Sequence, residues 1–323
     1  MTEVFYGLDD AHRDRIAGLR ARGRFFWLDV SRSETTLDEL REALDLSEAA
    51  IRALRRSADG HVRTFHADGE SVVFVLRCYV ESETPVDEAA YRLRPLKVYV
   101  LVTGEYLVTL HDERVSLPVV LAPDLPEERS KRYAVYSVVD AMLASTFEAL
   151  EEVELRLDAF ASTSTDEDGA QVPKTTLRDA GARLAAMRRW VGAEQAVVQR
   201  VGVEVGALLG FDTRGEPYFE RVDAQVNRLV ASVDAAANGA GMLLDLQLNE
   251  RAYLISLLAT IFAPLTFLTG FFGMNFGWMT DQIDTQIAFW LVGFVVPIAL
   301  ALLCWRLLAR RFLMGDGRRP GGR

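Results

Sequence analysis

The chain has 323 residues, 50% of them hydrophobic and 25% charged, and a formal net charge of −10. This acidic balance, with a sequence pI near 5.1, repels phosphate over most of the surface and argues against a nucleic-acid partner. Two cysteines, Cys78 and Cys304, stand far apart and exclude a disulfide framework or a cysteine zinc cluster. Met1 to Asp10 carries acids and no apolar run, so no signal peptide is expected there.

In chain order, segments 24–30, 71–80 and 96–102 are rich in β-branched and aromatic residues and read as strands, with Tyr106–Leu110 completing a hairpin after Gly104. Between the first two, residues 35–58 carry Leu37, Leu40, Leu44, Ile51 and Leu54 at helical spacing. A small α/β domain over residues 1–127 follows, ending near Pro123 and Pro126. Long helical patterns occupy about 128–161 and 174–209, with breaks at 162–173 and 210–217. A third helix runs from Pro217 toward the apolar end of the chain.

No charged side chain lies between Arg251 and Asp281, and none from Thr285 to Trp305. About 20 residues cross the hydrocarbon core, so both runs read as membrane spans. Arg306, Arg310, Arg311, Arg318, Arg319 and Arg323 follow the second run, which places the C-terminus in the cytoplasm. Two spans return the chain to its starting side, so the N-terminal region is cytoplasmic and the link bearing Asp281 and Asp284 faces outward. The expected fold class is therefore α+β with a membrane part. A cytoplasmic α/β domain (1–127) leads to a long-helix and stalk region (128–251), and then to a first transmembrane helix with its outer motif (252–280). An extracytoplasmic loop (281–284), a second transmembrane helix (285–308) and a basic cytoplasmic tail (309–323) complete it.

On the first span, Asn249, Ala252, Ser256, Ala259, Ala263, Thr266, Gly270 and Gly273 recur three and four apart, and each is small or polar. Such a stripe serves either close helix packing or the wall of a water-lined pore. One helix encloses nothing, so the pore reading requires a ring of identical subunits.

At the outer end of the stripe, Gly273-Met274-Asn275 follows Thr269-Gly270-Phe271-Phe272 and precedes Phe276, after the string from Asn249 through Ala263-Pro264-Leu265-Thr266-Phe267. This pattern resembles the CorA family of divalent cation transporters, whose hallmark is Gly-Met-Asn at the outer end of the first of two C-terminal spans. The resemblance is sharp over residues 249–311 and architectural elsewhere. It implies a homopentameric funnel in the inner membrane, with first spans around the pore and both termini cytoplasmic. It also implies channel-like inward movement of Mg²⁺ driven by the membrane potential, with no cofactor beyond the carried ion. On the same carry-over, Gly273, Met274 and Asn275 form the selectivity motif at the entrance, and Thr266, Ser256 and Asn249 form further polar rings. Neutral oxygens suit an ion that dehydrates reluctantly, and no stripe position is a carboxylate.

This chain departs from the family pattern in places. Ala252 and Ala263 stand where members commonly carry Met, and Gly277-Trp278-Met279 replaces a Glu and Met-Pro-Glu string. Leu246 to Arg251 with Tyr253, and Leu268-Thr269-Gly270, look closer to the ZntB branch, which moves zinc and usually carries Gly-Ile-Asn or Gly-Val-Asn. Zn²⁺ transport, proton-coupled or not, is therefore the alternative to Mg²⁺, with Co²⁺ and Ni²⁺ as further ions. A two-span receptor is the rival from another class.

His12, His61, His66 and His111 form no ligand cluster by spacing and read as surface histidines. Glu148, Glu151, Glu152, Glu154 and Asp158 read as a solvated helix face, or as a cation-attracting one. Family members sense intracellular Mg²⁺ through acids at subunit contacts, one just after a Pro-Tyr-Phe. Here Pro217-Tyr218-Phe219 is followed by Arg221 where that acid is expected, which leaves Glu220 and Asp223 as candidate regulatory ligands. No phosphate-binding glycine loop and no paired nucleophile and base are present, which argues against an ATP-driven pump and against an enzyme.

Overall fold

A computed structural model describes residues 2–58, 65–82, 91–121, 123, 130–163, 174–208, 211 and 218–274, and of the remainder 287, 290–299, 302, 303 and 306. The expected breaks over 164–173 and 212–217, His61, Asn275, the loop 281–284, Cys304 and the tail 309–323 lie outside the described residues. The chain forms two units, Met1–Gly241 and Met242–Arg323.

The first unit holds a six-stranded sheet of order β1-β2-β6-β5-β4-β3. Its strands are β1 (Glu3–Tyr6), β2 (Phe26–Ser31), β3 (Phe65–Ala67), β4 (Ser71–Glu81), β5 (Leu93–Thr103) and β6 (Tyr106–His111). β1, β2 and β6 run parallel, and β6, β5, β4 and β3 are joined antiparallel. Helices α1 (Asp10–Ala21), α2 (Leu37–Leu44) and α3 (Glu48–Ala58) supply Ile16, Leu19, Leu40, Leu44, Ile51 and Leu54 to a core with Phe26, Leu28, Val30, Val108 and Leu110. Burial of each such side chain contributes about 1.5–3 kcal/mol.

The stretch 35–58, read as helical from its apolar spacing, is two helices. Thr36 and Glu39 close a capping box at the start of α2, and Asp45 ends it in the left-handed region at φ 54°. The Ser47 side chain then accepts from the Ala50 N–H at 3.1 Å and opens α3. Apolar spacing alone does not see this break, because both helices bury the same face.

The opposite face of the sheet carries a buried polar chain. Trp27 Nε1 donates to Thr109 Oγ1 at 2.9 Å, and Thr109 Oγ1 donates to Asp29 Oδ1 at 2.6 Å. The other Asp29 oxygen accepts from the Leu117 N–H at 2.8 Å and so anchors the start of α4 (Leu117–Leu121). His111 Nε2 lies 3.2 Å from Asp29 Oδ1 with both side chains fully buried. The expectation of surface histidines therefore fails at His111, because β6 is an interior strand between β2 and β5 and its side chains have no route to solvent.

Helices α5 (Lys131–Thr163) and α6 (Lys174–Ala207) pack on the β4 side. Arg77 of β4 donates to Glu194 of α6 at 3.0 Å, and its guanidinium lies 5.4 Å from the Trp190 ring centroid. Glu152, within the acidic patch of α5, accepts from the Arg92 and Leu93 N–H groups and is a structural cap of β5 rather than a solvated charge. Helix α7 (Tyr218–Phe272) begins in the first unit and ends in the second. Its start packs closely, since a Cβ on Gly202 of α6 would lie 2.8 Å from Phe219 Cβ.

Candidate functional site

The candidate site is α7 from Asn249 onward and the turn after it. At about 100° per residue, the small and polar positions from Asn249 to Gly273 share one face that drifts slowly round the axis. Asn249, Ala252, Ser256, Ala259, Ala263, Thr266, Gly270 and Gly273 are all exposed in the single chain. Leu257, Ile261, Leu265 and Leu268, about half a turn away by the same arithmetic, are half-buried. Leu254, Leu258, Phe262 and Phe267 are exposed, with Phe267 at 71%. Large apolar side chains uncovered over such a length mark a surface made for lipid or another chain. Among the described residues α7 is the one helix long and apolar enough to cross a membrane, and none of its most apolar stretch is buried within the chain.

The threonine hydroxyls of this segment turn back on the helix. Thr260 donates to the Ser256 carbonyl at 2.8 Å, Thr266 to Phe262 at 2.8 Å, and Thr269 to Leu265 at 3.0 Å. Each hydrogen is committed, so each oxygen presents only lone pairs outward. Pro264, inside the helix, removes one backbone N–H and leaves the Thr260 carbonyl without its usual partner. At the outer end the Gly273 N–H bonds to Thr269 O at 2.9 Å and the Met274 N–H to Phe271 O at 3.2 Å. A Cβ on Gly273 would approach Thr269 O to 3.0 Å, so glycine suits this tight close. The carbonyl end of a helix carries partial negative charge, so Gly273 and Met274 sit where cations are favoured. Asn275, Asp281 and Asp284 fall outside the described residues.

Glu220 and Asp223 lie in the first turns of α7. Burial, and then the charge of Glu220, raise the Asp223 carboxyl above its ordinary value. Arg221 shares a hydrogen bond with the Tyr136 hydroxyl, whose titration is raised mainly by burial and then by Asp140. Among the described residues no group of three or more His, Cys, Asp and Glu side chains could hold a metal ion. Sequence reasoning missed Thr260 and Thr269, which lie beside the stripe; a threonine four residues after a helical carbonyl is the signal that finds them.

The described elements are thus an α/β domain followed by long helices, one of them long and apolar enough to cross a membrane and uncovered over its most apolar stretch. The family model described as CorA-like Mg²⁺ transporter protein matches residues 22–310, and the chain belongs to that family. The cobalt/magnesium transport protein CorA of Thermotoga maritima is 27% identical over 162 residues, which are 47% of this chain and 45% of that protein. The match thus spans less than half the length of that curated relative. Among solved structures, full-length CmaX aligns with TM-score 0.54 at 19% identity, over 88% of this chain and 87% of that one. The ZntB cytoplasmic domain from Vibrio parahaemolyticus aligns with TM-score 0.54 at 13% identity, over 70% and 88% of the two chains. The complete CorA magnesium transporter from Methanocaldococcus jannaschii aligns with TM-score 0.51 at 15% identity, over 88% and 90%. These likenesses show the fold.

Proposed function

We propose that the protein is a channel-like transporter that carries Mg²⁺ inward, as a homopentamer whose five α7 helices line the pathway. The observation that carries this reading is the exposed face from Asn249 to Gly273, which offers small side chains and outward lone pairs and no carboxylate. A hydrated divalent ion is held loosely by such oxygens and passes on. Residues 285–308 form the second span, and both termini lie in the cytoplasm. An inside-negative potential supplies about 2.3 kcal/mol per charge per 100 mV, enough to drive a divalent ion without nucleotide. Zn²⁺ is the second reading, favoured by Leu268-Thr269-Gly270 before the motif.

Uptake into liposomes, with Mg²⁺ and Zn²⁺ compared directly under a valinomycin-set potential, tests the proposal. Mg²⁺ uptake that rises with interior negativity supports it. Uptake indifferent to voltage but driven by an imposed proton gradient replaces it with the zinc-type mechanism.

A further inference from the structure

A cleft of about 520 Å³ opens in the first unit between the end of β4, the start of β5, and helices α4 and α5. Its floor is Val80 and Leu93, both buried, and Val120 and Leu121 of α4 form one wall. The other wall is α5, where Ala141, Ala144 and Glu148 recur three and four apart and so share one face. Most polar groups around the cleft are already partnered. Ser145 Oγ accepts from the Tyr79 N–H at 2.9 Å and donates to the Met142 carbonyl at 2.7 Å. Arg92 pairs with Glu81 at 2.6 Å and Arg114 with Glu34 at 3.5 Å. Glu152, one turn beyond Glu148, is neutralised by Arg156 at 3.5 Å. Glu148 remains, with no ion pair or hydrogen bond to its carboxylate among the described residues. The cleft is therefore a hydrocarbon trough with one unbalanced negative charge on its rim.

We infer that this cleft binds an organic cation, a primary ammonium resting on Glu148 with its aliphatic body on Val80, Leu93, Val120 and Leu121. The site goes beyond the transport reading and does not depend on it. The volume falls within the range of small-molecule sites, about 300–1,000 Å³. A hydrated divalent ion gains nothing from an apolar floor and finds only one free carboxylate, where it prefers a full shell of oxygens. An aliphatic ammonium uses both features, and each buried CH₂ raises its affinity roughly fourfold. An aliphatic carboxylate of the same length is repelled by Glu148, and the matching alcohol forfeits the charge-assisted contact.

The test uses full-length protein in lipid nanodiscs and three probes of equal length: hexylamine, hexanoate and hexanol. In a Cys304→Ser background, Ala144→Cys places a thiol at an exposed position on the cleft wall. Cys78 stays silent toward a water-soluble thiol reagent, since it is buried and burial pushes its thiol up to about 12. Saturating hexylamine should slow labelling of Ala144→Cys on the order of tenfold, while hexanoate and hexanol leave it unchanged. Adding Glu148→Gln should raise the amine concentration for half-protection on the order of tenfold. Val203→Cys, at a position 72% exposed on α6, should label at one rate with or without amine. Absence of protection, equal protection by all three probes, protection indifferent to Glu148→Gln, or equal slowing at Val203→Cys overturns the assignment. Divalent flux is measured separately, so each of these results leaves the transport reading where it stands.

Discussion

The Thr266 hydroxyl donates to the Phe262 carbonyl at 2.8 Å, four residues back along α7, and this bond sets what Thr266 shows to the outside of the helix. With the hydrogen directed inward, the oxygen can only accept. In the proposed pentamer it would be repeated around an axis as a ring of acceptors for the water of a passing cation. Thr266→Val keeps the side-chain shape and removes the oxygen. Divalent uptake should fall on the order of tenfold, in line with about 1.5–3 kcal/mol for a charge-assisted contact, and Thr266→Ser should restore most of it. Uptake by Thr266→Val equal to wild type would place the ring off the pathway.

Asn275 belongs to the motif directly after the described end of α7. Asn275→Ala replaces the amides that would meet the ion's water at the outer mouth with methyl groups. Transport should collapse while the purified protein keeps its assembly size and helical circular dichroism. Undiminished flux from an assembled Asn275→Ala protein would count against the pore assignment.

Gly202 and Gly206 make opposite predictions one turn apart on α6. A Cβ at 202 would lie 2.8 Å from Phe219 Cβ, whereas at 206 the nearest group is the flexible Arg132 guanidinium at 3.6 Å. Gly202→Ala should cost about 1–3 kcal/mol through forced separation of α6 and α7. Gly206→Ala should be neutral or stabilising by up to about 1 kcal/mol, from reduced unfolded-chain entropy. Thermal unfolding of the two variants side by side decides the matter.

Glu194 gives the pH prediction. Burial is the largest influence and lifts its carboxyl to about 8, against the opposing pull of Arg77. A carboxyl raised in the folded state binds a proton that the unfolded chain has released. Its contribution is therefore full below the unfolded value and is lost as pH rises through the folded one. Stability should decline between about pH 4.5 and pH 8 and level off beyond, by up to a few kcal/mol. Glu194→Gln keeps an acceptor for Arg77 and should flatten this slope. Parallel melting-temperature profiles for the two proteins between pH 5 and 9 would show that the burial effect is not expressed.

The strands at 71–80 and 96–102 were legible because β-branched residues crowd them, and the long helices because their apolar spacing persists over many turns. The break at Asp45 was not, since α2 and α3 bury Leu40, Leu44, Ile51 and Leu54 on one side whether or not the backbone turns between them. β1 escaped notice because four residues at a sheet edge, with Val4 exposed, carry too little pattern. His111 and Glu194 were misjudged or overlooked for one reason: the burial of a single polar side chain depends on strand order and helix placement, which no local spacing encodes. On α7 the stripe and the motif were visible as residues. The inward turn of the hydroxyl hydrogens was not, because it depends on side-chain rotamers.

The Asp29–Thr109 bond also settles how two parallel strands align. Asp29 stands opposite Thr109 in the β2–β6 register. Sliding β6 by one residue would bring Val108 or Leu110 to that place and leave an anion among hydrocarbon. The apolar residues on either side are interchangeable enough to tolerate such a slip, but a stranded carboxylate is not. Inside this sheet, one acid acts as the alignment key that its greasy neighbours cannot provide.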